Sequence, residues 1–203
     1  LNQQQPQKGI RNLRSRFTLV LSGNQDQFTC FLPQNLSWIP AKILKSFFSG
    51  VAIDDHQLEK LSPVPDDAII IYVNKFKSKF DFLFSHTRYT QKGLKAPEIG
   101  FDYKIFFWQP LSRTLRILLA QLDFFFRNLK LLHPYNNDYL RQELIKGRAG
   151  YLSLVGQKAF YRRFIKAQKY PIAYLLETQK LIQRPIYLVP QLIFFTKKPH
   201  RAH

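Results

Sequence analysis

The apolar residues of this chain follow a strand-like pattern in some segments and a helix-like pattern in others. Residues 68–74 (AIIIYVN) form a continuous apolar run, which is typical of a strand buried on both faces. Shorter apolar runs predict further strands at 103–108, 151–155 and 185–195. Helical spacing predicts helices at 78–91, 139–146 and 171–181. Because strands alternate with helices, the sequence predicts an α/β fold with a largely parallel sheet flanked by helices.

Two other segments are amphipathic. At about 38–52, apolar residues recur at helical spacing between lysines, and Pro40 suits a first helical turn. This helix is expected to pack on the domain beside it, although the same pattern suits a helix lying in a membrane interface. After Pro110, a stripe of apolar residues steps by four and three: Leu111, Leu115, Leu118, Leu122, Phe125 and Leu129. We interpret this stripe as part of the core.

A proline-rich stretch at 62–67 (SPVPDD) divides the chain into two parts. Residues 1–61 are interpreted as a lead-in that contains the amphipathic helix, and residues 62–199 as the α/β domain. The chain contains no Met, and its two ends are interpreted as cuts through a longer protein. No apolar run reaches the roughly 18 residues that span a bilayer, so any membrane contact is expected to be peripheral.

The chain carries a net charge of +18, which is concentrated in its second part. Residues 1–70 hold seven basic and six acidic side chains, whereas residues 71–203 hold 24 basic and seven acidic ones. Such an excess attracts anions, including phosphorylated ligands, nucleic acid and acidic lipid surfaces. A solvated basic face without a ligand is the other interpretation.

Few residues in the sequence point to a cofactor or a metal ion. Cys30 is the only cysteine, which excludes a disulfide within the chain and a multi-cysteine metal site. The histidines are scattered, and no glycine-rich phosphate-binding loop is present. Residues 133–138 (HPYNND) have the spacing of an H-x-x-x-x-D motif but follow a helix, so Asp138 is interpreted as a helix N-cap and His133 as a loop residue. We therefore expect no metal and no cofactor.

The most informative segment follows the 68–74 strand, because ligands of open α/β sheets gather at the carboxyl ends of the strands. An apolar strand, a polar turn and an aspartate leading into a helix resemble the H-x-x-x-x-D site of glycerolipid acyltransferases. That resemblance implies a histidine as general base, held in the right tautomer by the aspartate. Here Asp81 is present, but Phe76 stands five residues before it, and a phenyl ring cannot accept a proton. The degenerate site is expected to be inactive, with Asp81 capping the following helix or pairing with a lysine.

An ordered set of further segments resembles the amino-terminal region of bacterial PlsB-type glycerol-3-phosphate acyltransferases. The matching segments are 78–81 (SKFD), 103–109 (YKIFFWQ), 147–154 (GRAGYLSL), 160–164 (FYRRF) and 184–195 (RPIYLVPQLIFF). The likeness covers roughly residues 62–199, and the Phe-Pro-Glu of the family's FPEG-like stretch is absent at 146–150 (KGRAG). In that family this region resembles a degenerate acyltransferase domain, and the catalytic H-x-x-x-x-D lies in a second domain.

The resemblance implies a non-catalytic domain of a membrane-associated glycerol-3-phosphate 1-O-acyltransferase of phospholipid biosynthesis. Its partners would be the carboxyl-terminal catalytic domain of the same protein, anionic membrane lipid and, through the whole enzyme, acyl carrier protein or acyl-CoA. The protein would be peripheral, on the cytoplasmic face of the inner membrane. Six basic residues near the predicted strand ends are candidates for binding anions or lipid: Lys75, Lys77, Lys79, Arg148, Arg162 and Arg163.

Two alternatives remain open at the level of sequence. Aromatic residues interleaved with basic ones at 158–169 also suit nucleic acid, although the sequence contains no recognisable nucleic-acid-binding motif. A purely structural interaction domain without a ligand is the third possibility. The preferred interpretation has no nucleic-acid partner.

Overall fold

The structure is a computed structural model that describes residues 28–51, 64–106, 108–129, 133–135, 138–155 and 170–193. In chain order, the described residues form α1 (Trp38–Phe48), β1 (Ile69–Phe76), α2 (Lys79–Gln91), β2 (Pro97–Gly100), α3 (Leu111–Asn128), α4 (Tyr139–Ile145), β3 (Ala149–Val155), α5 (Pro171–Leu181) and β4 (Ile186–Gln191). None of the helices in this part of the chain is long and apolar enough to cross a bilayer.

The four strands form one sheet in the order β2-β3-β1-β4, and every neighbouring pair is parallel. Successive side chains of β1 point to opposite faces of the sheet. On one face Ile71 packs in a cluster with residues of α4 and α5, and on the other Tyr72 packs with Phe82 of α2. Because helices cover both faces of β1, its first residues are fully apolar. The predicted α/β fold with a parallel sheet flanked by helices is confirmed.

Local signals in the sequence predict several helix ends well. The side chain of Ser78 caps α2 by accepting a hydrogen bond from the Asp81 amide at 3.1 Å. Gly93 follows α2 with a φ of +70°, and Gly147 follows α4 with a φ of +84°. These left-handed conformations favour glycine, so the two helices end where the sequence predicts. Helix α5 begins at Pro171, as predicted.

Residues 28–51 lie against the sheet. Phe31 forms an isolated antiparallel bridge with Ile99 of β2. Leu44 and Phe48 of α1 are buried in a cluster with Phe84 of α2. Helix α1 is shorter than the predicted 38–52, and its expected packing on the neighbouring domain is found along one side. The predicted division of the chain near residue 61 stays a prediction.

The predicted strand at 103–108 is wrong. The strand in this region is the short β2, and residues 103–106 run outside the sheet. Tyr103 and Ile105 are buried, and the Ile105 amide donates to the Thr29 carbonyl oxygen at 2.8 Å. The apolar pattern therefore reflects the burial of an irregular segment, which a strand-like pattern cannot distinguish from pairing in a sheet.

The prediction that the leucine stripe of α3 belongs to the core is also wrong. The six stripe residues are exposed, from 38% of the side chain surface for Phe125 to 88% for Leu111. Helix α3 instead packs through its opposite side, where Ile117 and Ala120 are buried. The helical period identifies an apolar side, but it does not say what covers that side.

Candidate functional site

Three polar residues lie side by side at the carboxyl ends of the parallel strands. Asn74 of β1 is in register with Ser153 of β3 on one side and with Gln191 of β4 on the other. Asn74 and Ser153 are buried, and Gln191 is half-buried. We call these three residues the polar row. It occupies the edge of the sheet at which open α/β folds bind their ligands.

Asn74 is the polar residue that links the strand end to Asp81. Its Nδ2 donates to Oδ2 of Asp81 at 3.0 Å and to the hydroxyl of Tyr151 at 2.7 Å. Helix α2 is capped by Ser78, so the capping alternative predicted for Asp81 is wrong, and its pairing with a lysine stays a prediction. Asp81 lies in the first turn of α2, where its negative charge interacts favourably with the helix dipole.

Burial raises the pKa of Asp81, and the hydrogen bonds from Ser78 and Asn74 act in the opposite direction. Burial therefore destabilises the charged carboxylate by more than the two hydrogen bonds stabilise it. Both donors are uncharged, which distinguishes this aspartate from one that orients an imidazolium ion.

Tyrosine side chains surround the polar row. The Nε2 of Gln191 donates to the hydroxyl of Tyr89, and the hydroxyl of Ser85 donates to Oε1 of Gln191 at 3.2 Å. Burial raises the pKa of Tyr89 and of Tyr103 to about 12, and it raises the pKa of Tyr151 further. At neutral pH these phenols are protonated, so they serve as hydrogen-bonding groups and not as bases.

Phe76 is the last residue of β1, and it is 61% exposed. The Nζ of Lys75 lies 5.1 Å from the centre of its ring, which is a cation–π contact. The ring has no atom that accepts a proton, so position 76 cannot act as a general base. The hydrogen-bonding partner of Asp81 comes from position 74 instead.

Three of the six predicted basic residues lie where β1 leads into α2: Lys75 near the end of β1, Lys77 on the turn and Lys79 at the start of α2. The Nζ of Lys77 donates to the Asp102 carbonyl oxygen and lies 5.0 Å from the centre of the Tyr103 ring. Lys75 and Lys79 are exposed, and Lys79 is the first residue of α2. The turn therefore presents positive charge beside the polar row.

Arg148 lies away from those lysines. It precedes β3 and so lies at the amino end of that strand, whereas the three lysines lie at or just after the carboxyl end of β1. Its guanidinium group is 2.8 Å from a carboxylate oxygen of Glu143 and 3.9 Å from one of Glu98, and it lies over the ring of Phe31 at 4.1 Å. The remaining two predicted residues, Arg162 and Arg163, lie outside the described residues.

The H-x-x-x-x-D spacing at residues 133–138 is not built like a site on a strand end. The ring of His133 stacks on Tyr135 at 5.4 Å between centroids. Asp138 holds the N-cap position of α4, as predicted, but its side chain forms no capping hydrogen bond. Its carboxylate pairs with Arg141 at 3.1 Å instead.

His86 of α2 is a buried histidine. Its Nε2 lies 3.0 Å from the Pro33 carbonyl oxygen, to which it donates when the ring is neutral and protonated at that nitrogen. Burial lowers its pKa to about 4. At neutral pH the imidazole is therefore uncharged, and it ties α2 to the segment that precedes α1.

A second candidate surface is the apolar side of α1 that faces away from the core. It is exposed at Trp38, Ile39, Ile43, Phe47 and the neighbouring Phe80. The Phe47 ring lies 5.9 Å from that of Phe80, which connects α1 to the first turn of α2. We call these five residues the α1 patch. Lys42 and Lys45 of α1, together with Lys79 next to Phe80, place positive charge around it.

Sequence reasoning identified Asp81 but missed Asn74, Ser153 and Gln191. Each of these is a polar residue at or near the end of an apolar strand, which is a usable signal. The register that brings them together depends on pairing between residues more than 70 positions apart in the chain. Local periodicity contains no information about such pairing.

The chain matches no family model, no curated protein and no solved structure. Among the described residues, no three His, Cys, Asp or Glu side chains are grouped in a way that could hold a metal ion.

Proposed function

We propose that this chain is a non-catalytic, acyltransferase-like domain that contacts anionic lipid and supports the catalytic domain of a glycerol-3-phosphate 1-O-acyltransferase. The observation that carries the proposal is the α1 patch, an exposed cluster of Trp, Ile and Phe side chains with lysines around it. A helix with this composition lies in the headgroup region with its apolar side in the lipid. Lysines at such a surface contribute about 1 kcal/mol each when the lipid is anionic.

The strand-end site supports the non-catalytic part of the proposal. Phe76 offers no base, and Asp81 is occupied by the uncharged donors Asn74 and Ser78. The buried tyrosines are protonated at neutral pH. Among the described residues at this strand end, a hydroxyl group of a substrate would therefore meet no histidine placed to remove its proton.

The inactivity of the domain is tested by acyl transfer with the 203-residue chain alone. Glycerol 3-phosphate is supplied with either acyl carrier protein or coenzyme A as the acyl donor, and no turnover above the protein-free rate is expected. Turnover that is lost in His133→Ala would assign catalysis to residues 133–138 and overturn this part of the proposal.

The lipid contact is tested by sedimentation with vesicles using the double variant Ile43→Gln, Phe47→Gln. Both side chains are exposed, so the variant should fold as the wild type does, while its affinity for anionic vesicles should fall at least tenfold. The matched control is Leu176→Gln, Leu181→Gln on α5, which removes two equally exposed leucines from another helix. Equal losses in both double variants would contradict a specific role of the α1 patch.

A further inference from the structure

Helix α3 is apolar on two opposite sides. Its inner side is buried at Ile117 and Ala120, and Arg113 at its start donates to the Phe31 carbonyl oxygen at 3.2 Å. Its other side, together with the residue that follows the helix, exposes eight large apolar residues: Leu111, Leu115, Leu118, Leu119, Leu122, Phe125, Phe126 and Leu129. We call these eight residues the α3 outer face.

The α3 outer face points away from the body of the domain. Successive residues of an α-helix are turned by about 100°, which puts the eight residues within a sector of about 120°. Ile117 and Ala120 lie on the far side of the helix from the centre of this sector. The side that anchors α3 to the protein and the side that meets solvent are therefore nearly opposite, so the outer face is free to meet a flat surface.

The width of the outer face favours a lipid surface over a second helix. A coiled-coil seam uses two apolar positions in each heptad and forms a narrow stripe. Here Leu119 and Phe126 widen the 4-3 stripe to one side, and Phe126 is 75% exposed. A sector of this width matches a helix that lies in the plane of a bilayer interface.

Charge favours an anionic surface over a second copy of the chain. Two copies of the chain would each carry a net charge of +18 and would therefore repel each other. The sequence of helix α3 contains three arginines and one aspartate, and the exposed Arg116 lies about 60° around the helix from Leu119 at the edge of the outer face. An anionic lipid surface provides an apolar environment for the leucines and phenylalanines, and it attracts the net positive charge of the chain.

We infer that the α3 outer face inserts into the interface of an anionic bilayer and forms a second lipid contact in addition to the α1 patch. The identity of the occupant rests on the proposed function, in which anionic lipid is the ligand. The assignment of α3 as a contact does not depend on the residues of the α1 patch, because the two helices expose separate sets of side chains.

The test compares three double variants of the full chain by sedimentation with vesicles of phosphatidylglycerol and phosphatidylcholine. Leu115→Gln, Leu122→Gln removes two outer-face leucines that are about half exposed. Its affinity for the vesicles should fall about 30-fold, because each leucine gives up roughly half of the transfer free energy of a fully buried side chain. Ile43→Gln, Phe47→Gln reports on the α1 patch, and Leu176→Gln, Leu181→Gln is the control.

A second readout measures the position of the helix directly. A nitroxide spin label at Leu122→Cys, in a Cys30→Ala background, should be protected from an aqueous relaxing agent when anionic vesicles are added. A label at Leu176→Cys should remain accessible to the relaxing agent. Thermal unfolding of each variant without lipid separates loss of binding from loss of folding.

The outcomes separate the inference from the proposed function. Loss of binding in the α1 variant with wild-type binding in the α3 variant would overturn the inference and leave the proposed function standing. No binding of the wild type to anionic vesicles would overturn both. A wild-type dimer that Leu115→Gln, Leu122→Gln converts into a monomer would overturn the inference in favour of a second copy of the chain.

Discussion

The carboxyl end of the sheet and the outer face of α3 distribute their polar and apolar groups in opposite ways. At the sheet end, Asn74 and Ser153 are polar and buried, and their neighbours supply hydrogen bonds. On α3, Leu111 and Phe126 are apolar and mostly exposed. Burying polar groups and exposing large apolar ones are both costly in free energy, so each region needs an explanation beyond folding.

The polar groups of the strand end form hydrogen bonds with other residues of the protein, because Asn74 donates to Asp81 and Tyr151. In our proposal, this strand end corresponds to the site of an acyltransferase that has kept its aspartate and lost its base. The α1 patch and the α3 outer face, by contrast, expose large apolar side chains to solvent. In our proposal, the chemistry of the domain has been lost at the sheet end, and its remaining activity is binding at the helices.

The largest effect is expected at the buried His86 of α2, outside both regions, when pH is varied. Because the folded pKa of His86 is about 4 and its ordinary value is 6.5, its contribution to stability is fully present above pH 6.5. It is lost as the pH falls from 6.5 towards 4, by about 3 kcal/mol at most at 1.4 kcal/mol per pKa unit. Urea unfolding at several pH values should show this loss in the wild type.

His86→Gln is the control for that measurement, because glutamine can still donate to the Pro33 carbonyl oxygen but does not titrate. Its free energy of unfolding should depend less on pH between 6.5 and 4. The same pH slope in both proteins would show that another group titrates and would refute the assignment to His86.

A smaller loss is expected from Asn74→Ala at neutral pH. The substitution removes the donor to Asp81 and Tyr151 and leaves buried polar atoms with one partner fewer. The free energy of unfolding should fall by about 2 kcal/mol. Urea unfolding measures the change, and a loss below about 0.5 kcal/mol would mean that the hydrogen bonds from Asn74 to Asp81 and Tyr151 contribute little to stability.

On α3, Leu122→Gln should change the free energy of unfolding by less than about 0.5 kcal/mol, because its side chain is half exposed in the folded protein. Ile117→Ala on the inner side of the same helix is the matched comparison and should cost about 2 to 4 kcal/mol. If both substitutions lower the free energy of unfolding equally, the outer face is packed against another surface in solution. That result would contradict the contrast between the two regions.

The smallest effect is expected from Phe76→His, which restores the H-x-x-x-x-D spacing. Acyl transfer by the chain should remain absent, because Asp81 is already engaged by Asn74 and Ser78 and the side chain at position 76 is exposed. The assay is the one used for the wild-type chain. Recovered turnover would show that the site is intact except for its base.

The sequence predicts those parts of the fold that depend on local signals. Gly93 and Gly147 end helices because they adopt left-handed conformations, and Pro171 begins one because its missing N–H is not needed there. The strand β1 is recognisable because it is buried on both faces. These features need no knowledge of distant residues.

The parts that could not be predicted depend on what lies next to a segment in space. Residues 103–106 look like a strand because Tyr103 and Ile105 are buried, but β3 pairs with β2 instead. The stripe of α3 looks like core because it is apolar, but the body lies on the other side of the helix. The partner of Asp81 is Asn74, seven residues away, and the other members of the polar row are brought in by strand register.

The most direct test of the central claim is the partition of the wild-type chain between buffer and vesicles of two compositions. Binding to vesicles that contain phosphatidylglycerol, which weakens with added salt and is much weaker for pure phosphatidylcholine, is the predicted result. Equal affinity for both compositions would contradict the role of the basic residues. No binding to either, together with salt-dependent retention of RNA or DNA, would contradict the lipid contact and support a nucleic-acid-binding module instead.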